Sequence, residues 1–266
     1  MRDNRLIRKE KYLHPDHIPE NLTDKEDEVR EIRSLLLPVN RRSNPLLVYG
    51  PPGTGKTVTV RKVLQDMERE ASARTVYVDC MEYRTKTAIL VKMLIDLGVP
   101  VPRKGKPIDV IYEKVERCVR NKNIVLAMDG IGFPEIKRGD ILHTLAELSW
   151  KGLDLILVTR RLEHLEDMDE STVERLTPVL IHFRHYTSDE IFNILKERAD
   201  KAFKPGAVPE ESLKKIAEIV STTTSSCTLA FALLYTVSNI AQNRNMDSVT
   251  EDLVEEIGNK FNLYLG

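Results

Sequence analysis

Residues 46 to 57 read Leu-Leu-Val-Tyr-Gly-Pro-Pro-Gly-Thr-Gly-Lys-Thr. A short apolar run ends in Gly50, and Gly50, Gly55, Lys56 and Thr57 fit the phosphate-binding pattern G-x-x-x-x-G-K-[ST]. Each residue type has a reason. Glycines accept backbone angles with positive φ and let successive N–H groups curl around an anion. The helix that follows turns its positive end to the same phosphates. In such loops the lysine, here Lys56, reaches the β and γ phosphates, and the hydroxyl of Thr57 goes to Mg²⁺. Pro51, Pro52, Gly53, Thr54 and Val58 complete the candidate nucleotide-binding segment. A glycine-rich turn without a ligand is the competing reading. The buried-type strand before the loop and the helical pattern after it argue against that turn.

Composition sets the limits. The chain has 266 residues, 30% of them charged, and a formal net charge of −1. That length suffices for one large domain or two smaller ones. The charge balance carries no global basic signature, so nucleic-acid contact would need a local patch. Cys80, Cys118 and Cys227 are far apart and lack zinc or redox spacing, as expected of a reducing, cytoplasmic compartment. The start lacks the apolar core of a signal peptide, and no apolar run reaches membrane-spanning length. No membrane partner is expected.

Downstream of the loop a helix runs to about Glu70, and Thr75 to Asp79 alternates like a strand. Residues 86 to 97 read as an amphipathic helix. The punctuated loop Gly98 to Pro107 follows, with a basic cluster of Arg103, Lys104 and Lys106. That cluster suits weak contact with DNA phosphates; a solvated loop is the plainer alternative. A helix over 109 to 120 precedes the apolar run Ile124 to Met128, which ends at Asp129. Residues 139 to 149 read as helix, and Leu153 to Val158 and Val179 to Phe183 as strands. Strands alternating with helices predict an α/β fold with a parallel sheet covered on both faces. Ligands of such sheets sit at the carboxyl ends of the strands, where Asp79, Asp129 and Thr159 fall. From Thr187, which with Glu190 forms a capping box, the pattern is helical: 188 to 202, 209 to 221, 226 to 243 and 248 to 260. A boundary near 185 separates domains 1–185 and 186–266. Upstream of the loop, residues 1 to 20 read as extended. A second capping box at Thr23 and Glu26 opens a helix with Val29, Ile32, Leu35 and Leu36 on its apolar stripe, ending by Pro38. His14 and His17 lack the further ligands of a metal site.

Phosphate chemistry calls for an acid at a strand end to hold Mg²⁺ through water, and Asp129 fits. A turn aspartate before Gly130 is the competing reading. With these residues in place the chain resembles an AAA+ ATPase, and more narrowly the archaeal origin-recognition and cell-division-control replication initiators. The resemblance rests on the phosphate loop (Walker A) and on a string of ordered matches. These are residues 12 to 22, Val76 to Cys80, Gly98 to Pro102 with Gly105 to Pro107, Gly139 to His143, Phe183 to Ile191 and Ile194 to Phe203. It implies a P-loop NTPase base domain with a small all-helical lid, and ATP or ADP between them. It also implies that Ile18 and Tyr186 frame the adenine, that residues about 84 to 107 form a DNA-touching insertion, and that homologous AAA+ subunits are partners. The family carries a winged-helix DNA-binding domain after the lid, on the order of 80 to 100 residues. The sequence to Gly266 does not include it, as a fragment or by nature.

The departures from the family pattern decide the expected activity. Where members have Asp-Glu after the metal strand, this chain has Gly130, and the next usual acid is Gly132. A positioned base contributes about 10² to 10⁴ in rate, and Glu135, in a loop beyond Pro134, is the nearest substitute. Thr159-Arg160-Arg161 stands where the family has a sensing Asn, and Thr228 where the lid offers an Arg. Arg175 is the available arginine finger, a group worth about 10³ to 10⁵. The expectation is a protein that binds ATP or ADP with Mg²⁺ and hydrolyses slowly or not at all. A non-catalytic subunit of an AAA+ assembly, or a signalling-type P-loop ATPase, are the alternatives.

Overall fold

The computed structural model describes residues 6–14, 17–20, 22–36, 44–101, 107–121, 123–137, 140–164 and 170–263. The basic cluster Arg103, Lys104 and Lys106, and Pro38, lie outside them. The described chain separates into two compact units. One comprises residues 27–51 and 56–183, the other residues 1–26, 52–55 and 184–266.

The first unit is the α/β unit. In chain order it contains α1 (Glu26–Leu36), β1 (Leu46–Tyr49), α2 (Lys56–Glu70), β2 (Arg74–Asp79), α3 (Lys86–Asp96), α4 (Ile108–Asn121), β3 (Ile124–Asp129), α5 (Pro134–Lys137), α6 (Ile141–Trp150), β4 (Leu153–Thr159), α7 (Glu170–Leu176) and β5 (Val179–His182). Among the described residues the sheet has five strands in the order β2-β3-β4-β1-β5, and every pairing is parallel. Parallel strands need long crossovers, and the intervening helices supply them.

Alternation along the strands divides two cores. Leu47, Val76, Val78, Leu126, Met128, Leu155 and Leu157 pack with α3, α4 and α6. Leu46, Val48, Val125, Ala127, Ile156 and Val158 pack with α1 and α2. A period of two places odd and even positions of β3 on opposite faces. Asp129 therefore shares the face of Val125 and Ala127, the face that α2 covers. This parity, set by apolar residues, aims the strand-end carboxylate at the helix that follows the phosphate loop.

The second unit is helical: a 3₁₀ turn at Glu10–Leu13, then α8 (Ser188–Ala202), α9 (Glu210–Thr223), α10 (Cys227–Asn243) and α11 (Glu251–Leu263). Its core joins Leu6, Ile7 and Leu13 to Ile191, Leu195, Ile216, Leu234 and Val254. Thr187 and Glu190 form the expected capping box, each side chain bonding the other's backbone N–H. Buried Arg198 donates to the carbonyls of Tyr12 at 3.1 Å and His17 at 3.0 Å, which fixes the leading segment onto α8. Among the described residues, no helix is long and apolar enough to cross a membrane.

Several local expectations change. The leading segment contains a 3₁₀ turn in place of continuous extended chain. The helix expected from Thr23 begins at Glu26, so Glu26 is its first residue, not its third. Thr23 instead donates its hydroxyl to Glu197 at 2.5 Å. Glu135 lies in the first turn of α5, not in a loop, because Pro134 suits a first helical position. Helix α7 went unread.

Candidate functional site

The phosphate loop is built around three glycines with positive φ. A Cβ on Gly50 (φ +145°) would meet the carbonyl oxygen of Phe183 at 2.1 Å. One on Gly53 would lie 1.8 Å from Oγ of Ser226, and one on Gly55 would lie 2.4 Å from the hydroxyl of Tyr186. At these three positions there is no room for a side chain, as expected of a loop whose N–H groups curl around an anion. The amide of Cys227 donates to the carbonyl of Gly53 at 3.1 Å, so the start of α10 is tied to the loop within the helical unit. Thr54 is fully buried, Val58 half-buried and Pro52 exposed.

Lys56 opens α2 and is 8% exposed. Its Nζ donates to the carbonyls of Gly50 at 2.6 Å and Pro51 at 2.5 Å. Burial pushes its pKa down to about 8, opposed by Asp129 and helped by the charge of Arg160. An ammonium held this way, on carbonyls and in poor solvent, is a cation suited to a multivalent anion.

Thr57 donates its hydroxyl to Oδ2 of Asp129 at 2.6 Å. Tyr77 donates to that same oxygen at 2.9 Å, and burial followed by Asp129 pushes its phenol pKa up. A hydroxyl and a carboxylate converging at a phosphate loop are hard oxygen donors of the kind Mg²⁺ takes alongside phosphates. The described residues contain no group of three or more His, Cys, Asp or Glu that could hold a metal. His17 forms an edge contact with Tyr12, ring centroids 4.8 Å apart.

The strand-end positions around Asp129 are filled in a particular way. Gly130 has φ +89° and the ring of Phe133 beside it, 3.2 Å from where a Cβ would sit. A Cβ on Gly132 would fall 2.4 Å from Nδ1 of His164. That nitrogen is 2.6 Å from Oγ1 of Thr159. Thr159 is buried and paired in register with Tyr49, next to Gly50. Asp79 at the end of β2 accepts from the amide of Met81 at 2.8 Å, the bond of a turn. The carboxyl of Glu135 is held below the usual range first by its own backbone N–H and then by Arg84, 3.2 Å away.

Arg175 on α7 faces Glu147 on α6 at 3.9 Å, and its carbonyl accepts from the indole of Trp150 at 3.2 Å. Thr228 is exposed in the first turn of α10. In the helical unit Tyr186 is buried, with Nζ of Lys25 4.7 Å from its ring centroid; Ile18 is half-buried in the same unit. Sequence reading missed Tyr77, His164 and Lys25. The parity of β2 would have put Tyr77 on the face of Asp129. Nothing local marks His164 or Lys25, whose neighbours are brought up by the fold.

Comparison with known proteins gives consistent matches. The AAA ATPase domain family matches residues 21–182, and the Cdc6 AAA+ ATPase-type lid domain family matches residues 192–258. The ORC1-type DNA replication protein 1 of Sulfolobus acidocaldarius is 30% identical over 263 residues, covering 95% of this chain and 66% of the relative. Its namesake in Aeropyrum pernix is 28% identical, covering 95% and 68%. The chain thus spans about two thirds of the length of these relatives. Among solved structures, the Aeropyrum pernix ORC1 protein in complex with DNA aligns with a TM-score of 0.84 at 25% identity, over 97% of this chain and 71% of that one. Cdc6p from Pyrobaculum aerophilum aligns with a TM-score of 0.81 at 27% identity, over 92% and 69%.

Proposed function

The chain belongs to the archaeal Orc1/Cdc6 group of AAA+ ATPases, and from that membership we propose that it binds ATP or ADP with Mg²⁺ and hydrolyses ATP slowly or not at all. The family is a nucleotide-binding one. The observation that carries the proposal is a contrast. Thr57 and Asp129 meet at 2.6 Å beside an intact glycine loop, while the two positions expected to hold acids are glycines closed over by Phe133 and His164.

In this reading residues Gly50 to Val58 hold the phosphates, with Lys56 exchanging loop carbonyls for phosphate oxygens. Thr57 and Asp129 hold Mg²⁺, which when bound offsets phosphate charge. Ile18 and Tyr186 contact the adenine. Arg175 is the candidate finger toward a neighbouring AAA+ subunit. Residues 1–185 act as the nucleotide-binding base and 186–266 as the lid, with the described part of the leading residues 1–26 packed among the lid helices. A cytoplasmic protein is the matching setting.

The test is turnover by purified protein alongside identification of co-purified nucleotide. Bound ADP or ATP with little turnover is expected, and Lys56→Ala should abolish retention. Turnover at rates typical of active ATPases would overturn the slow-hydrolysis half; absence of any binding would overturn the whole.

A second reading, a non-catalytic subunit that uses nucleotide as a structural ligand, is favoured by the positive φ of Gly130. That backbone suits glycine and resists a catalytic side chain. Stimulation of a related initiator's turnover, with none from this chain alone, would support it.

One relative was solved with DNA, and we extend a weak DNA contact to Arg103, Lys104 and Lys106. Replacing all three by Ala should reduce binding and its salt dependence. A titration unchanged by the substitutions would remove the patch from consideration.

A further inference from the structure

The carboxylate of Asp129 is held from two sides, and only one belongs to the phosphate loop. Thr57 bonds its Oδ2 from α2, and Tyr77 bonds the same oxygen from β2. Tyr77 pairs with Ala127, two residues before Asp129. It is therefore a diagonal neighbour of Asp129 on the same face, within reach of a long side chain. Arg61 lies one turn beyond Thr57 on α2, so both project toward that face. Its guanidinium carbon is 4.4 Å from the centroid of the Tyr77 ring. Helix α2 thus supplies one group to the carboxylate and another to the ring that anchors it.

We infer that Tyr77 is a positioning residue for the proposed Mg²⁺ site: its hydroxyl fixes the Asp129 carboxylate from the β2 side, and Arg61 fixes the ring. The inference rests on the nucleotide reading above. The reason for a second anchor is that Thr57 is itself assigned to the metal. A hydroxyl engaged with Mg²⁺ is a poor sole restraint on a carboxylate, whereas Tyr77 holds Asp129 whatever Thr57 does. Groups that orient metal-holding carboxylates are worth about 10- to 100-fold in metal affinity. The competing role for Tyr77 is packing alone, since its ring lies against the core on the α2 side. Removing the hydroxyl and keeping the ring separates the two.

The experiment measures ADP binding by calorimetry in MgCl₂ and in EDTA, for the parent chain, Tyr77→Phe and Arg61→Met, with a thermal melt of each. In Tyr77→Phe the gain in affinity due to Mg²⁺ should fall about tenfold, with affinity in EDTA unchanged and the melting midpoint lowered only by the loss of one hydrogen bond. Arg61→Met should reduce the same gain by a smaller factor, and it carries the test if Tyr77→Phe does not fold. A variant with the parent's full Mg²⁺ gain overturns the inference. So does one that loses affinity equally in both conditions, because that is a packing effect. A parent that binds ADP without dependence on Mg²⁺ overturns it while leaving nucleotide binding intact. A parent that binds no ADP removes the nucleotide reading and this inference together.

Discussion

Oγ1 of Thr159 lies 2.6 Å from Nδ1 of His164, and the same imidazole occupies the space that a side chain at residue 132 would need. The glycine at 132 and the histidine beside it are therefore one arrangement. With glycine at 132 the ring can close onto the end of β4 and take the buried hydroxyl as a partner. A carboxylate placed there would require His164 to leave.

This coupling is measurable. Gly132→Ala should destabilise the chain by about 1–3 kcal/mol through overpacking, read from denaturant midpoints. In a His164→Ala background the same substitution should cost less, with an interaction of about 1 kcal/mol. Additive effects would mean that the two residues do not contend for the same space.

Gly50 and Gly98 offer a controlled comparison. Both have positive φ, but a Cβ at Gly98 meets nothing within 4 Å, while one at Gly50 runs into the carbonyl of Phe183. Gly98→Ala should show only the backbone penalty, about 1–2 kcal/mol. Gly50→Ala adds a collision with main chain that cannot rotate away, so it should be clearly the more damaging. Equal losses of melting temperature would count against the close approach of β5 to the loop.

Arg198 holds two carbonyls of the leading segment. Arg198→Met keeps much of the apolar stem near Phe231, whose ring centroid is 5.3 Å from the guanidinium carbon, and removes the donors. Charged hydrogen bonds of this kind are worth about 2–3 kcal/mol. The expected outcome is a loss of that order, with earlier proteolytic cleavage before residue 20. Cleavage that starts elsewhere at the parent's rate would disprove the fastening role.

Glu190 gives a pH signature. The guanidinium of Arg184, with the Thr187 backbone N–H, pulls its pKa down to about 2 from an ordinary 4.5, against the opposing effect of burial. A carboxylate stabilised in the folded state contributes fully above the unfolded value. That contribution fades as pH falls from about 4.5 toward 2. The difference in stability between the parent and Glu190→Gln should be constant from pH 6 to 7 and shrink below pH 4.5. A difference independent of pH would show that the capping box works without the charge.

The sequence made the sheet legible because its strands are short apolar runs that end at punctuated positions. Ile124 to Met128 could only be buried on both sides, and the acid after it had to mark a strand end. The helical unit was legible from period and caps, down to the reciprocal bonds of Thr187 and Glu190. The start of α1 was misplaced because Thr23 met a competitor that local rules do not contain: Glu197, far along the chain, accepts its hydroxyl. Helix α7 escaped because seven residues are too few for periodicity to register. The surroundings of Asp129 were half legible. Thr57 follows from the loop motif, but Tyr77 was read only as part of an alternating strand. Its partner lies on another strand, so pairing register was needed to bring the two together. His164 was invisible for the same reason. Its distance from Gly132 is set by how β4 and the chain after it return over the sheet.

The division of the sheet into two separately packed faces has an evolutionary consequence. Lys56, Thr57, Tyr77 and Asp129 depend on the face shared with α1 and α2, while α3, α4 and α6 fasten the opposite one. Drift among the residues beneath those three helices, those beside Gly130 such as Phe133 apart, can change that surface without touching Lys56, Thr57, Tyr77 or Asp129. Novelty can accumulate on one side of the molecule while the other is inherited nearly intact.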